Sequence, residues 1–421
     1  MTAQSFHRIS WALFDFANSA FPTVITTFVF AAYFSKAIAP DEVTGTSLWG
    51  YAMAISGILI ACTAPFCGAI ADRAGARKPW IFFFSLTCIL ASAALWFAVP
   101  DQSAIILALI CVGCATFGFE MTMVFYNAML ADLCVPGREG LLSGMAWGLG
   151  YLGGLLGLAM VLVLFVQTDQ PLFGLDKDLA EHIRISGPFV GLWYGLFALP
   201  LFLFVPDQPA KMPMRQAVRD GLGQFVLTLK KWRDHPTVFG FLLTRMIYID
   251  GLNTLFAFGG IYAAGTFGMS FQDLIIFGIS INVTAGLGAA IFGWLDDRWG
   301  SKRVIMLSLV CLILVGTATL LVTDKNHFMV LGLLLGLFMG PTQAASRTYM
   351  SKIAPDHLRG ELFGLYAFSG KATAFIGPFL VALFSDLMAS QRAGMATIII
   401  FFVIGLALMQ KLPDIREHKL T

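Results

Sequence analysis

Apolar positions in this chain come in long unbroken runs, with neither the alternation of a half-buried strand nor the single stripe of a surface helix. We read twelve such runs, at roughly 9–35, 49–71, 79–99, 103–130, 141–166, 188–205, 237–265, 272–295, 303–323, 327–350, 361–385 and 394–411. Most reach the ~20 residues that carry a helix across a bilayer. Amides in lipid need partners within their own segment, and these runs are too long and too continuous for the strands of a membrane barrel. The expected fold class is an all-α membrane protein of twelve transmembrane helices. The first run lacks a short apolar core followed by a small-residue cleavage site, so it is read as a retained span.

Composition narrows the class. Only 12% of the 421 residues are charged, against roughly 25% in soluble domains. A net charge of +2 gives no reason to expect a nucleic-acid partner. Placement of charge is more informative. With the first residue inside the cell, the inner segments hold Arg8, Arg138, Arg215, Arg219, Lys352, Arg359, Lys411, Arg416 and Lys419 among about 19 of the 27 basic residues. The outer segments hold about five, so both termini are expected in the cytoplasm. The seven cysteines, Cys111 and Cys114 included, are read as packing residues, and the six histidines lack metal-ligand spacing.

The longest inner loop, 206–236, separates two candidate six-helix bundles, 1–205 and 237–421. Within it Val218, Leu222, Phe225, Val226, Leu229 and Trp232 recur at helical spacing among basic residues. That pattern predicts an amphipathic helix on the inner leaflet. The halves also echo each other. "GAIADRAGARK" (68–78) follows the second run and "GWLDDRWGSKR" (293–303) the eighth. "DFAN" (15–18) corresponds to "DGLN" (250–253), and "NAMLADLCVPGREGLLSG" (127–144) to "RTYMSKIAPDHLRGELFG" (347–364).

The duplicated loop resembles the signature GxxxDRxGxRK of the Major Facilitator transporters, whose two parallel repeats rock about a midplane site. The resemblance implies a gate role for Gly68, Asp72, Arg73, Gly75, Arg77 and Lys78, and for Asp297, Arg298, Gly300 and Arg303 in the second copy. Asp72 can also face a helix N-terminus, where the dipole favours negative charge. "WALFDFANSAF", "SGMAWGLGYLGGLLGL", "GPTQAASRTYMSKIAP" and "GELFGLYAFSGKATAFIGP" resemble the Unknown Major Facilitator family. That family includes fungal autophagy-related effluxers that release amino acids from the vacuole. In the Major Facilitator plan, helices 1, 4, 7 and 10 line the cavity, 2, 5, 8 and 11 flank it, and 3, 6, 9 and 12 face outward. The glycine-rich helix 5, 143–157, is expected to pack backbone-close or to slide.

Charges in spans cost at least about 2.5–3.5 kcal/mol each and generally mark a wet interior. Here they are Asp15, Glu120, Arg245, Asp250, Arg347 and Lys371, all on helices that line or flank the cavity in that plan and none in the cores of helices 3, 6, 9 and 12. With Asn18, Tyr126, Asn127, Asn253 and Gln343 they form the candidate substrate-binding or proton-coupling set. Arg347, Lys371 and Arg245 offer an anion site, and Glu120 or Asp15 a proton-coupling carboxylate. The competing reading is structural: Asp15–Arg347 and Glu120–Lys371 as ion pairs between the halves. Arg245 and Asp250 lie about 140° apart around their helix and need not pair.

The expected activity is secondary transport of a small polar or zwitterionic solute, such as an amino acid, by alternating access. The chain is expected to be a monomer of the bacterial inner membrane, with the bilayer and the solute as partners. No cofactor or metal is expected, and protons or another ion gradient would supply coupling. An exporter of amphiphilic drugs or lipid-like compounds is the alternative within transporters, and a membrane receptor or scaffold the alternative outside them. No catalytic motif such as GxSxG or HExxH is present.

Overall fold

Each apolar run forms a helix that satisfies its own amides, as the lipid interior requires. The computed structural model describes residues 3–415 and contains, among them, twelve helices long and apolar enough to cross a membrane. Spans 1 to 6 are Gln4–Ile38, Glu42–Ala74, Lys78–Phe97, Gln102–Ala128, Glu139–Val166 and Glu181–Phe204. Spans 7 to 12 are Pro236–Phe267, Ile276–Trp299, Ser301–Leu321, Lys325–Ile353, Asp356–Leu387 and Gln391–Lys411. Arg416 and Lys419, counted above among the inner basic residues, lie outside the described residues.

Spans 1 and 11 depart from regular α-helix, and span 5 ends in π turns over Leu162–Val166. In span 1, Pro22 carries no amide, and the helix loosens into wider π turns over Phe21–Phe28 and Phe34–Ile38. The Thr26 and Thr27 hydroxyls return donors to the Pro22 carbonyl at 2.8 and 2.9 Å. Span 11 is broken into Arg359–Lys371 and Ile376–Leu387. Pro378 has no amide to offer the Ala374 carbonyl, so the first helix cannot run on regularly into the second.

The six-span sets meet along two glycine seams. A Cβ on Gly144 of span 5 would lie 2.7 Å from Gly293 Cα of span 8. A Cβ on Gly364 of span 11 would lie 2.5 Å from Pro65 Cα of span 2. Side chains are excluded there, and the helices approach backbone to backbone. Further along span 5, Gly153 and Gly154 turn instead to Phe16, Ser19 and Thr23 of span 1.

Between spans 6 and 7 runs a linker helix, Met214–Lys230. Its buried face, Ala217, Gly221, Phe225 and Thr228, packs on the end of span 2. There Phe225 meets Phe66 edge-on at 4.6 Å. Val218, Leu222, Val226 and Leu229 remain exposed beside Arg215, Arg219 and Lys230. Phe225, expected on the inner leaflet with the other apolar residues of the loop, is thus buried against span 2 instead.

A central cavity with one closed end

A cavity of about 1140 Å³ lies between the two sets of spans. Its lining runs from Asn127 and Arg347 to Lys36, Gln167 and Leu320 at the ends remote from the basic loops, and it opens there. Spans 9 and 12, expected to face lipid only, also contribute apolar wall residues such as Gly316 and Phe402. Span 7 carries Gly259 and Gly260 in front of open space, so it lacks the side chains that would screen the helices behind it.

Nine of the candidate residues line this space: Asp15, Asn18, Glu120, Asn127, Arg245, Asn253, Gln343, Arg347 and Lys371. Acids come from the first six spans and the three interior bases from the last six. The structure joins them in two pairs. Arg347 Nη1 donates to Asp15 Oδ2 at 3.0 Å and to Asn127 Oδ1 at 3.3 Å. Its Nε donates to Ser143 Oγ at 2.9 Å and its Nη2 to the Ser143 carbonyl at 2.7 Å. One guanidinium thus fastens span 10 to spans 1, 4 and 5, using the fixed fork that lysine lacks. Lys371 Nζ meets Glu120 Oε1 at 2.7 Å, at the end of the first helix of broken span 11.

Arg245 stays within the second set. Its Nη1 donates to the Tyr366 carbonyl and Ser369 Oγ, both at 2.8 Å, and its guanidinium lies 3.5 Å above the Tyr366 ring. Asn18 Nδ2 reaches Met123 Sδ at 3.4 Å, and Gln343 Nε2 reaches the Tyr151 hydroxyl at 3.4 Å.

Two candidates are not in the cavity wall. Tyr126 is fully buried, stacked 4.4 Å from Trp11, and each donates to the other's carbonyl, at 3.1 and 3.2 Å. Asp250 is outside the cavity lining, is 2% exposed, and has neither oxygen in a hydrogen bond among the described residues. The Gly377 amide of span 11 approaches it without hydrogen-bond geometry. The apparent repeat of "DFAN" in "DGLN" therefore does not place the two aspartates alike. Helix packing decides the difference: Asp15 meets an arginine from span 10, and Asp250 meets the backbone of span 11.

The basic end is closed by two matching clamps. Asp72 of span 2 accepts from the Gly360 and Glu361 amides at 2.8 and 2.9 Å, at the start of span 11. Asp297 of span 8 accepts from the Gly140 and Leu141 amides at 2.7 and 3.0 Å, at the start of span 5. Each carboxylate sits at the positive end of a helix from the opposite set. Arg77 lies 3.9 Å from Asp72 and 2.5 Å from Asp132, which in turn receives Arg359 at 2.6 Å. Gly75 and Gly300 adopt φ of 94° and 89° in the turns that follow, a region that favours glycine.

Gly68 also crosses between sets, packing backbone-close on Gly360 of span 11, whereas the remaining charged motif residues do not. Arg73 donates to Gln224 of the linker helix at 2.5 Å, and Lys78 Nζ to the Phe202 carbonyl at 2.9 Å. Arg298 stacks on Trp294 at 3.8 Å, and Arg303 pairs with Asp414 at 3.2 Å. Sequence reasoning missed Ser143, which holds Arg347, and Trp147 and Tyr151, which line the wall. Ser143 had only its place in the glycine-rich stretch to mark it; the aromatics had no distinguishing signal.

Residues 35–419 match the family described as vacuole effluxer Atg22 like. An uncharacterized MFS-type transporter of Bacillus subtilis (strain 168), YxiO, is 29% identical over 96% of this chain and 94% of its own length. Autophagy-related protein 22 of Kluyveromyces lactis is 22% identical over 82% of this chain and 74% of its own. The chain spans about half the length of several other fungal relatives, such as that of Cryptococcus neoformans at 52%. Among solved structures, the proton:xylose symporter XylE superposes with a TM-score of 0.74 at 13% identity, covering 98% of this chain and 95% of that one. The transporter FucP in the outward conformation gives 0.67 at 13%, covering 99% of both. At such identities these two show the fold alone.

Proposed function

The chain belongs to the Atg22-like effluxer family of Major Facilitator transporters, and on that premise we propose that it moves a small zwitterionic solute, an amino acid or a similar metabolite. The carrying observation is the Glu120–Lys371 pair, a carboxylate and an ammonium 2.7 Å apart in the wall of an open cavity. A zwitterion supplies both partners at once: its ammonium replaces Lys371 at Glu120, and its carboxylate replaces Glu120 at Lys371. The exchange conserves charge pairing, so the solute enters without leaving an ion unpaired. Phe119, Phe256 and Tyr366 line the same cavity and offer apolar surface for a side chain.

Alternating access follows from the same geometry in this reading. The clamps at Asp72 and Asp297 hold the basic end shut, and the positive-inside rule puts that end in the cytoplasm with both termini. The structure is then the outward-open state of a monomer in the bacterial inner membrane. The bundles 1–205 and 237–421 rock about the cavity, tied by the linker 206–236. A proton gradient is the proposed coupling source.

Purified protein in liposomes tests this against a metabolite panel with and without a pH gradient. Uptake of an amino acid, faster with the gradient, is expected. Movement of lipids or drugs with no amino acid moved would replace the reading by an amphiphile exporter, which the phenylalanines of the wall would suit.

A further inference from the structure

Glu361 is fully buried in the first turn of span 11, and neither carboxylate oxygen has a hydrogen-bond partner among the described residues. Its own amide is one of the two that clamp Asp72. The side chain therefore lies beside a second carboxylate, in the gate and not in the cavity.

The charges around it are already committed. From span 2, Arg73 is held by Gln224 and Arg77 by Asp132. Lys211, ahead of the linker helix, reaches the Asp72 carbonyl at 3.5 Å. Arg359, on the same turn as Glu361, pairs with Asp132 and Asp356. Deeper in the bundle, Arg245 and Lys371 are engaged by Tyr366, Ser369 and Glu120. On the linker helix the Thr228 hydroxyl lies beside Glu361 without hydrogen-bond geometry, Arg215, Arg219 and Lys230 are exposed, and Asp220 is half-exposed. An ionised carboxylate here has no hydrogen bond, and only the charge of Arg73, which Gln224 holds without neutralising, acts in its favour against burial and the Asp72 carboxylate; a protonated one is neutral and does not repel Asp72.

The second gate supplies an internal control. Leu141 occupies the matching position in span 5, and its amide clamps Asp297 in the same way. An apolar side chain serves the clamp there, so the clamp itself does not call for an acid.

We propose that Glu361 is a proton-binding site that makes closure of the basic-end gate pH-dependent. One proton is taken up from that side as the gate closes and returned to it as the gate opens. This rests on the gate moving, as alternating access requires, and not on the identity of the cargo. Lower pH on that side favours the closed gate, and one linked proton changes the closed-to-open ratio by up to about tenfold per pH unit.

Spin labels at Pro136→Cys and His357→Cys, exposed positions at the basic end of opposite sets, report the gate distance in the full chain with exposed Cys62 and Cys114 replaced by serine. In wild type, a short-distance population is expected at low pH and a longer one as pH rises. Glu361→Gln, and Glu361→Leu in imitation of Leu141, are expected to remain short throughout. A Glu361→Gln curve that tracks wild type overturns the proposal, as does a wild-type gate indifferent to pH. Amino acid counterflow at equal pH on both sides tests the transport reading separately, so failure of one leaves the other standing.

Discussion

Two of the ion pairs that join the six-span sets lie in the cavity wall, and burial separates their roles. The side chains of Arg347 and Asp15 are 1% and 6% exposed, while those of Lys371 and Glu120 are 31% and 24% exposed. The buried pair is surrounded by further donors and acceptors: Ser143 and Asn127 complete Arg347, and the rings of Trp11, Tyr126 and Trp147 lie within 5.2 to 5.8 Å of it. The open pair faces a cavity that water or solute can enter. A desolvated pair with full hydrogen bonding defines one arrangement of helices; a half-open pair can trade partners. The same two chemical types thus supply a fastening at one level of the bundle and a receptive site at another.

The largest effect is expected where the comparison is most extreme. Arg347→Ala strands the Asp15 carboxylate in a buried site, a change that costs about 3–5 kcal/mol in comparable settings. Thermal melting in detergent should show a strong drop, and the double variant Asp15→Asn/Arg347→Met should recover most of it. A single variant that melts like wild type would end the distinction between the pairs. Lys371→Met should do the reverse. Stability changes by less than about 1 kcal/mol because the pair is partly solvated. Transport efficiency for a zwitterion should fall about 10–100-fold, the worth of a charge-assisted hydrogen bond. Normal kinetics in liposomes would remove Lys371 from the site.

A smaller effect is expected at the clamps. Asp72→Asn keeps the shape and removes the charge at the helix N-terminus, worth about 0.3–1 kcal/mol and up to ~2 when partly buried. The spin-label distance should shift toward the open gate by roughly two- to tenfold in population, and Asp297→Asn should match it if the clamps are equivalent. The smallest effect belongs to Asp273, outside the spans at the opposite end. Hydrogen bonds from Lys325 and Ser270 lower its carboxyl to about 2. Because the folded-state value is depressed, its stabilisation is present above the ordinary aspartate range and is lost only as pH falls through about 2. Melting temperature should therefore show no Asp273-dependent change between neutral pH and about pH 5, as Asp273→Asn set against wild type would verify.

The spans were legible because a bilayer imposes one length and one polarity on every crossing segment. Charges inside them were legible for the same reason, and the plan of the related transporters told which helices would bring them together. What failed depended on orientation about a helix axis. Asp250 and Asp15 occupy corresponding repeats, yet one is paired and one is not, because their neighbours differ in spans 10 and 11. Tyr126 sits next to Asn127 in sequence and on another face in space. Ser143 carries no charge, and its place at the head of the glycine-rich stretch did not announce that its hydroxyl and carbonyl would hold Arg347. The break in span 11 had a visible cause in Pro378, but a proline alone does not say whether a helix bends or stops.

The glycine seam between spans 5 and 8 bears on how the molecule keeps time. Helices that interlock through side chains hold a register, and leaving it means lifting each knob from its hole. Gly144 and Gly293 present no knobs. Their contact is a plain bearing, with no side chain of either glycine standing in the way of a change of tilt. Discreteness then has to come from the latches at the ends of the helices. A transporter built this way swings freely and stops sharply, with its pace set by how often the latches let go.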